Sequence, residues 1–272
     1  MSSHLSSQPI GIFDSGIGGL TVAQALVKKL PNENIIYFGD TAHLPYGDKS
    51  TAAIQAYSVK ITHMLLQQQC KLILIACHTA SSAAYDLVKE YAGNKAEVVN
   101  VIDPVVKHLH DCYKKKCVGL IGTKATIQSN VYKRKIDDLN LDITLKSQAT
   151  AILASAIEEG FHHNKVIDSI LEEYLSRNTL SDIDALILGC THYPVIKKNI
   201  GRFYNKKVDI IDPSEIVADA VKLRLQSNNL INKNEQGGEK KFYISDYTNT
   251  FSDNTKLFFD EAITIAHYPI WD

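Results

Sequence analysis

Nothing in this sequence of 272 residues is apolar for long enough to cross a bilayer as a helix, which takes roughly 20 residues, so no membrane span is expected. The opening Met1-Ser-Ser-His-Leu-Ser-Ser-Gln8 has neither the basic nor the apolar stretch of a secretory signal, and reads as a short frayed leader. Charge of one sign is lacking too. The 29 basic and 30 acidic side chains leave a net charge of -1, with no general attraction to nucleic acid or an anionic membrane. Cysteine is scarce. Five thiols, an odd number, are too few for a disulfide scaffold and suit a reducing, cytoplasmic setting. No Cys-x-x-Cys pair or Cys/His cluster with ligand spacing occurs, and His162-His163 stands alone, so no metal site is expected. Phosphate loops are missing as well. Asp14-Ser-Gly-Ile-Gly-Gly19 has neither the Gly-Lys-Ser/Thr ending of a P-loop nor the Gly-x-Gly-x-x-Gly spacing, though such a backbone suits a carboxylate at a helix N-terminus.

What is present is an alternation of short apolar runs with longer helical patterns, the mark of α/β layering. Strands are expected at 9–13, 34–38, 72–76, 97–102, 117–121, 143–145, 185–188, 208–211 and, last, 240–245. Ser50 is a candidate N-cap for a long helix. The helix after Asp103-Pro104 is expected to run into Lys114-Lys-Lys116, placing cations at the negative end of its dipole. Residues 258–272 read as a closing tail. Two stretches share one design: Leu72-Ile-Leu-Ile-Ala-Cys77 and Ala185-Leu-Ile-Leu-Gly-Cys190, each an apolar strand ending in a thiol. The two cysteines lie 113 residues apart, Ile102-Asp-Pro104 and Ile211-Asp-Pro213 lie 109 apart, and the strands at Gly11 and Gly119 lie 108 apart. Such an internal echo predicts two similar three-layer α/β domains, related by a pseudo-two-fold, with mostly parallel sheets and a cleft between them. The expected division is 1–102 plus 212–272 against 103–211.

Ligands bind at the carboxyl ends of parallel strands, so two thiols presented this way could face one small molecule. Each precedes a candidate helix start, at Thr79 and near Pro194, where free N–H groups and the dipole favour a thiolate. Facing thiols suit proton removal from one side of a carbon and proton return from the other, which inverts a stereocentre. The bland alternative is a pair of buried, inert cysteines. A redox pair would need them adjacent. The arginine that would close a cysteine phosphatase's cradle is absent; Ala83 and Ile196 stand at that spacing. Cys112 and Cys117 flank the lysine run and read as structural or incidental.

Several motifs, in order along most of the chain, resemble the glutamate racemases of the cofactor-independent aspartate/glutamate racemase superfamily. They are Phe13-Asp-Ser-Gly-Ile-Gly-Gly-Leu-Thr21, Tyr37-Phe-Gly-Asp-Thr41, Pro45-Tyr-Gly47, Ala76-Cys77 with Thr79-Ala-Ser81, Thr123-Lys-Ala-Thr-Ile127, Gly189-Cys-Thr-His-Tyr-Pro194 and Asp212-Pro-Ser-Glu215. The resemblance implies interconversion of L- and D-glutamate without a cofactor, for peptidoglycan synthesis in a bacterial cytoplasm. The implied partner is the amino acid itself, with no nucleic acid or membrane; a homodimer is compatible with it. By the same resemblance Cys77 handles the proton of D-glutamate and Cys190 that of L-glutamate. Asp14 would assist Cys77, and Glu158 with His192 would assist Cys190. Asp14, Ser15, Pro45, Tyr46, Gly47, His78, Thr79, Thr123, Thr191 and His192 would hold the substrate. Asp14 could instead cap its turn, Glu158 could lie on a solvated helix face, and Tyr46 could serve packing alone. Two departures stand out. Asparagine is usual in the family where this chain has His78, which bears one donor and one acceptor in different directions when neutral. An Ala-Cys-Pro-type stretch is usual where this chain has Ala149-Thr-Ala-Ile-Leu153. A racemase of aspartate or another amino acid, prompted by His78, and a catalytically silent ligand-binding paralogue are the alternatives.

Overall fold

The continuous apolar runs form strands because both of their faces are covered. In a computed structural model, which describes residues 5–234, 236–247, 255–260 and 262–272, these strands make two wholly parallel sheets. The first contains β1 (Ile10–Asp14), β2 (Ile35–Gly39), β3 (Leu72–Ile75), β4 (Glu97–Asn100), β9 (Lys240–Ile244) and β10 (Ile265–His267), in the order β10-β9-β2-β1-β3-β4. The second contains β5 (Cys117–Gly122), β6 (Thr144–Ala149), β7 (Ala185–Gly189) and β8 (Asp209–Ile211), in the order β6-β5-β7-β8. Counted from its own first strand, the first four strands of each sheet lie in the order second, first, third, fourth. The echo in the sequence is therefore an echo in topology. In both sheets the order reverses beside the first strand, between β1 and β3 and between β5 and β7.

Alternation along the strands divides the core. Ile10, Ile12, Leu72 and Leu74 point to one face, into a cluster continuous with Leu186 and Leu188 of the second sheet. Phe13, Ile73 and Ile75 point to the other, against Ile61 of α2 (Thr51–Gln67) and Ala84 and Val88 of α3 (His78–Ala92). Ser50 caps α2, its hydroxyl accepting from the N–H of Ala53. α1 (Leu20–Lys29) follows the glycine-rich turn.

The chain departs from expectation in four places. β4 stops at Asn100, whose Oδ1 accepts from the N–H groups of Ile102 and Asp103, both at 2.8 Å. This side chain starts α4 (Ile102–Cys112) early and takes Pro104 into the first turn, where a missing N–H costs no helical bond. The lysines at 114–116 are not in that helix. The chain must turn into β5 at Cys117, and Lys115 takes a left-handed φ of 61° to do so, while Lys116 pairs with Asp184 at 2.9 Å. After β5 come two short helices, α5 (Lys124–Gln128) and α6 (Val131–Asp138), broken at left-handed Asn130. Two further helices, α7 (Leu153–Glu158) and α8 (Lys165–Leu175), precede β7, and α9 (Lys197–Phe203) follows it. The tail is not featureless: β10 extends the first sheet beside β9. Of the leader, residues 1–4 lie outside the described residues, and residues beyond them are tied down, with Asn34 donating to the carbonyl of Ser7 at 2.7 Å.

After β8, α10 (Pro213–Ser227) is capped by Asp212 and brings the chain back towards the first sheet. Its connection to β9 is fastened by a buried ion pair. Lys71, at the foot of β3, donates to Glu33 Oε2 at 2.5 Å and to the carbonyl of Leu230 at 2.8 Å, and also bonds the carbonyl of Ser6. The other Glu33 oxygen accepts from the N–H of Asn232 at 2.7 Å. Burial lowers the Lys71 ammonium and Glu33 opposes that. Removing one partner strands the other charge in the protein, so Glu33→Ala is expected to cost about 3–5 kcal/mol in urea unfolding. A loss below about 1 kcal/mol, no more than an exposed pair contributes, would mean that the pair does not fasten this seam.

Candidate active site

The two reversal points face each other, and the residues just beyond their strands make one cleft. Asp14 ends β1 and Ser15 follows it, Cys77 follows β3, Thr123 follows β5, and Cys190 follows β7. Parallel sheets bind ligands at such points. The cleft is small, about 40 Å³, and both Cys77 and Cys190 line it, with Ser15, Pro45, Tyr46, Gly47, His78, Thr79, Thr123, Glu158, Thr191 and His192. A larger hollow of about 580 Å³, by Ser6, Gln226 and Asn232, contains neither thiol. Volume alone would therefore have pointed to the wrong place.

The glycine-rich turn lets the two halves meet. A Cβ on Gly18 would come within 2.5 Å of His192 Cε1 and 2.7 Å of Thr191 Oγ1, so only glycine admits the second loop here. A Cβ on Gly19 would fall 2.5 Å from the Asp14 side chain. Across the seam, Thr21 Oγ1 donates to the carbonyl of Thr191 at 3.0 Å. Tyr37 donates to the carbonyl of Gly16 at 2.7 Å and supports the turn from below.

Cys77 is itself the N-cap of α3, which starts at His78, one residue before the expected start at Thr79. Its sulfur accepts from the N–H of Ala80 at 3.4 Å and its thiol donates to Ser15 Oγ at 3.5 Å. These contacts do not make it a resting thiolate. Burial, then the Asp14 charge, push the thiol up to about 12 against the help of Ser15 and Ala80. The helix end is outweighed because desolvation acts on the whole charge, whereas the dipole offers a fraction of one.

Cys190 sits differently. A short 3₁₀ turn, Tyr193–Ile196, follows it where a helix start was expected. Its sulfur is 3.5 Å from His192 Nδ1, and His192 Nε2 is 2.7 Å from Glu158 Oε1. Burial works against charge on His192, but Glu158 and then Cys190 outweigh it and hold the imidazole well above its ordinary value. Burial likewise opposes charge on Glu158, and His192 still holds its carboxyl below the usual range. Both shifts describe an ion pair. Thr150 supports this loop from the segment that departs from the family: its hydroxyl lies 2.6 Å from that of buried Tyr193.

Asp14 does not line the cleft. It is fully buried beneath Ser15, with Oδ2 accepting from the N–H of Gly16 at 3.1 Å and Oδ1 from Thr191 Oγ1 at 3.4 Å. Burial raises its carboxyl above the ordinary range, with His192 and the N–H groups of Gly19 and Gly16 pulling the other way. Thr79 and Thr123 share a hydroxyl contact of 2.9 Å, and Thr126, which the motif reading passed over, closes the triangle at 3.3 and 3.0 Å. Ala154 and Ser155 also line the cleft without having been singled out. They lie four and three residues before Glu158 on α7, the spacing that shares a helix face, and that signal was available once Glu158 was placed on a helix. Gly16 and Leu44 complete the lining. Neither ring nitrogen of buried His78 has a hydrogen-bond partner among the described residues; the ring lies parallel to Tyr132 at 6.4 Å. Burial pushes His78 down to about 3, so it is neutral at pH 7. No group of three or more His, Cys, Asp or Glu among the described residues could hold a metal ion. No helix among them is long and apolar enough to cross a membrane.

The arrangement defines a class: two parallel α/β sheets opposed at their reversal points, with one thiol from each lining a single polar cleft. Comparison with known proteins agrees. Residues 10–221 match the Asp/Glu/hydantoin racemase family. The chain is 42% identical over 238 residues to the glutamate racemase of Syntrophus aciditrophicus, covering 88% of this chain and 87% of that one. It is 40% identical over 260 residues to that of Chlorobaculum parvum, covering 95% of each. The crystal structure of glutamate racemase from Francisella tularensis in complex with D-glutamate superposes with a TM-score of 0.91 at 38% identity, covering 98% of this chain and 99% of that one. The chain belongs to the Asp/Glu/hydantoin racemase family.

The Glu158 carboxylate is what keeps His192 charged against its burial. Glu158→Gln removes that charge, so His192 loses its proton at lower pH. If the cationic imidazole is needed beside Cys190, the alkaline limb of the kcat profile moves to lower pH, and kcat falls about 10²-fold or more. A variant with an unshifted limb would separate Glu158 from the chemistry.

Proposed function

We propose that this chain interconverts L- and D-glutamate without a cofactor, with Cys77 and Cys190 exchanging the α-proton from opposite sides. The observation that carries the reading is the pair of unlike thiols lining one cleft. The similarity to enzymes that act on glutamate supports the substrate. The residues 1–102 with 212–272, and 103–211, are the two units that bring the thiols together.

In the direction from L-glutamate, Cys190 takes the α-proton while cationic His192 faces its sulfur. Cys77, held as a thiol in the free enzyme, gives its proton to the opposite side of the carbon. The proton count balances: one leaves the carbon to Cys190, one arrives from Cys77, and the product is the D-isomer. The enzyme is left with the proton on the other thiol, which is the state needed for the reverse reaction. Burial and Asp14 make the Cys77 thiolate costly, and the Ser15 hydroxyl, the Ala80 N–H and the substrate ammonium offset that cost. The hydroxyls of Ser15, Thr79, Thr123 and Thr191, with the Pro45-Tyr46-Gly47 loop, hold the carboxylates and ammonium. Hydrogen-bond donors fixed in a dry cleft stabilise charge that develops on the α-carboxylate more than they would in water. Asp14 acts through Thr191 and the turn it braces, as a positioning residue. In a bacterial cytoplasm the D-glutamate would enter peptidoglycan synthesis.

His78 favours one alternative, a different acidic amino acid. It is a buried polar side chain in the lining with no bond of its own, and being neutral it offers a carboxylate one N–H and no charge. His78→Asn exchanges that single donor for an amide and is expected to change the KM for glutamate about threefold or more, with kcat less affected. Unchanged KM would remove His78 from recognition.

Circular dichroism with a panel of L-amino acids tests the substrate: glutamate is expected to turn over faster than aspartate, and the reverse order would reassign it. Cys77→Ser and Cys190→Ser are each expected to lose about 10²–10⁴-fold of racemisation. Full activity in either variant would take that thiol out of the mechanism. No α-proton exchange in deuterated water with any amino acid would favour a silent binding protein instead.

A further inference from the structure

The carboxyl-terminal tail reaches the cleft indirectly, through one buried side chain. Asp40, just beyond the end of β2, is fully buried, and both its oxygens accept hydrogen bonds. Tyr46 donates to Oδ2 at 2.6 Å, and His43 Nδ1 donates at 3.1 Å. Ser245 Oγ and Trp271 Nε1 each donate to Oδ1 at 2.8 Å. The donors come from three segments: the loop between β2 and α2, the end of β9, and the last two residues of the chain. Trp271 is also packed by rings. His43 meets it edge-on at 4.4 Å and Tyr57 at 5.5 Å, and His43 stacks on Tyr57 at 4.0 Å. The loop held by this cluster is the one that lines the cleft. Tyr46 and Gly47 are in the lining, and a Cβ on Gly47 would come within 3.0 Å of Thr123 from the other sheet.

We infer that Asp40 and Trp271 form a clamp that positions the Pro45-Tyr46-Gly47 loop over the substrate, so that the end of the chain sets how tightly glutamate is held. Asp40 and Trp271 are positioning residues, acting through Tyr46. This inference rests on the racemase reading for its substrate and adds a role for the tail. The argument is one of shared acceptors. Tyr46 can swing out of the lining only by leaving Asp40, and Asp40 is held in place by Ser245 and Trp271 at its other oxygen. Taking away the Trp271 N–H loosens the carboxyl and with it the tyrosine. The chemistry at the thiols is untouched, so the effect belongs in binding and not in turnover.

Trp271 is the chain's only tryptophan, so its fluorescence reports on the clamp with no other indole in the signal. Titration of the full-length protein with D-glutamate and with L-glutamate should change the emission, saturating in the range of KM. Trp271→Phe keeps the aromatic packing and removes the N–H. It should raise KM about fivefold, the loss of one hydrogen bond of ordinary strength, with kcat within about twofold. Combined with Tyr46→Phe, the loss in kcat/KM should be smaller than the product of the two single losses, because both act through Asp40. If the wild type racemises glutamate but its emission does not respond, or Trp271→Phe has unchanged KM, or the two losses multiply, the clamp is overturned and the racemase reading stands. If the wild type racemises no glutamate, the racemase reading falls and the clamp's role with it.

Discussion

No side chain separates Gly18 from His192, and that closeness is the constraint on which the site depends. The backbone of a turn from the first sheet lies where any Cβ would strike the imidazole of the second. The contact brings the end of β1 against the loop after β7, and so brings Ser15 and Cys77 opposite Cys190. Glycine is present here for close approach and not for an unusual φ, since Gly18 is absent from the positive-φ residues. Gly19 in the turn and Gly39 at the end of β2 serve the same approach at one remove, Gly19 leaving room for Asp14 and Gly39 for the carbonyl of Gly16. Most of the tight contacts are thus among backbone, buried carboxyl and imidazole, groups that cannot shrink to accommodate a methyl.

The duplicated topology does not produce duplicated chemistry. Both thiols follow the third strand of their sheet, yet one caps an α-helix and the other precedes a 3₁₀ turn. The charge that acts most on Cys77 is the buried, unfavourable Asp14; beside Cys190 is an imidazole that Glu158 holds above its ordinary value. The proton exchange proposed above requires that the two thiols differ at the start of each turnover, one holding a proton and one able to take it, and unlike surroundings favour such a difference.

Much of this was legible in the residues. Leu72–Cys77 and Ala185–Cys190 are unbroken apolar runs too short for helices, and a thiol after each could lie only at a strand's carboxyl end. Parallel pairing followed from the helical patterns between the runs, and the cleft from the repeated offsets. What escaped the reading was set by tertiary context. The lysines at 114–116 obey the dipole rule as a pattern, but the distance left to β5 ended the helix before them. Asn100 started α4 by side-chain bonds that no periodicity displays. β10 is three residues long and is a strand only because β9 offers it an edge. The thiolate expected of Cys77 depended on a helix end whose benefit burial outweighs. Glu158, on a pair of glutamates that alone suggests a solvated face, is partly buried because His192 arrives from another loop to meet it.

The same reasoning explains why Asp14 sits under the cleft instead of in it. The carboxylate that does line the cleft, Glu158, has the His192 imidazole against it at 2.7 Å; Asp14 in the lining would add a second carboxylate without such a partner. Set one layer below, it accepts from the N–H of Gly16 and the hydroxyl of Thr191, one from each half of the seam, and its charge reaches Cys77 without occupying space a ligand needs. Its cost of burial is tied to the turn that Gly18 and Gly19 permit, because the N–H groups that hold it belong to that turn. The buried acid, the glycine turn and the high thiol are therefore a single arrangement: loosening the turn would expose Asp14, and the second of the causes that raise the Cys77 thiol, after burial, would weaken with it.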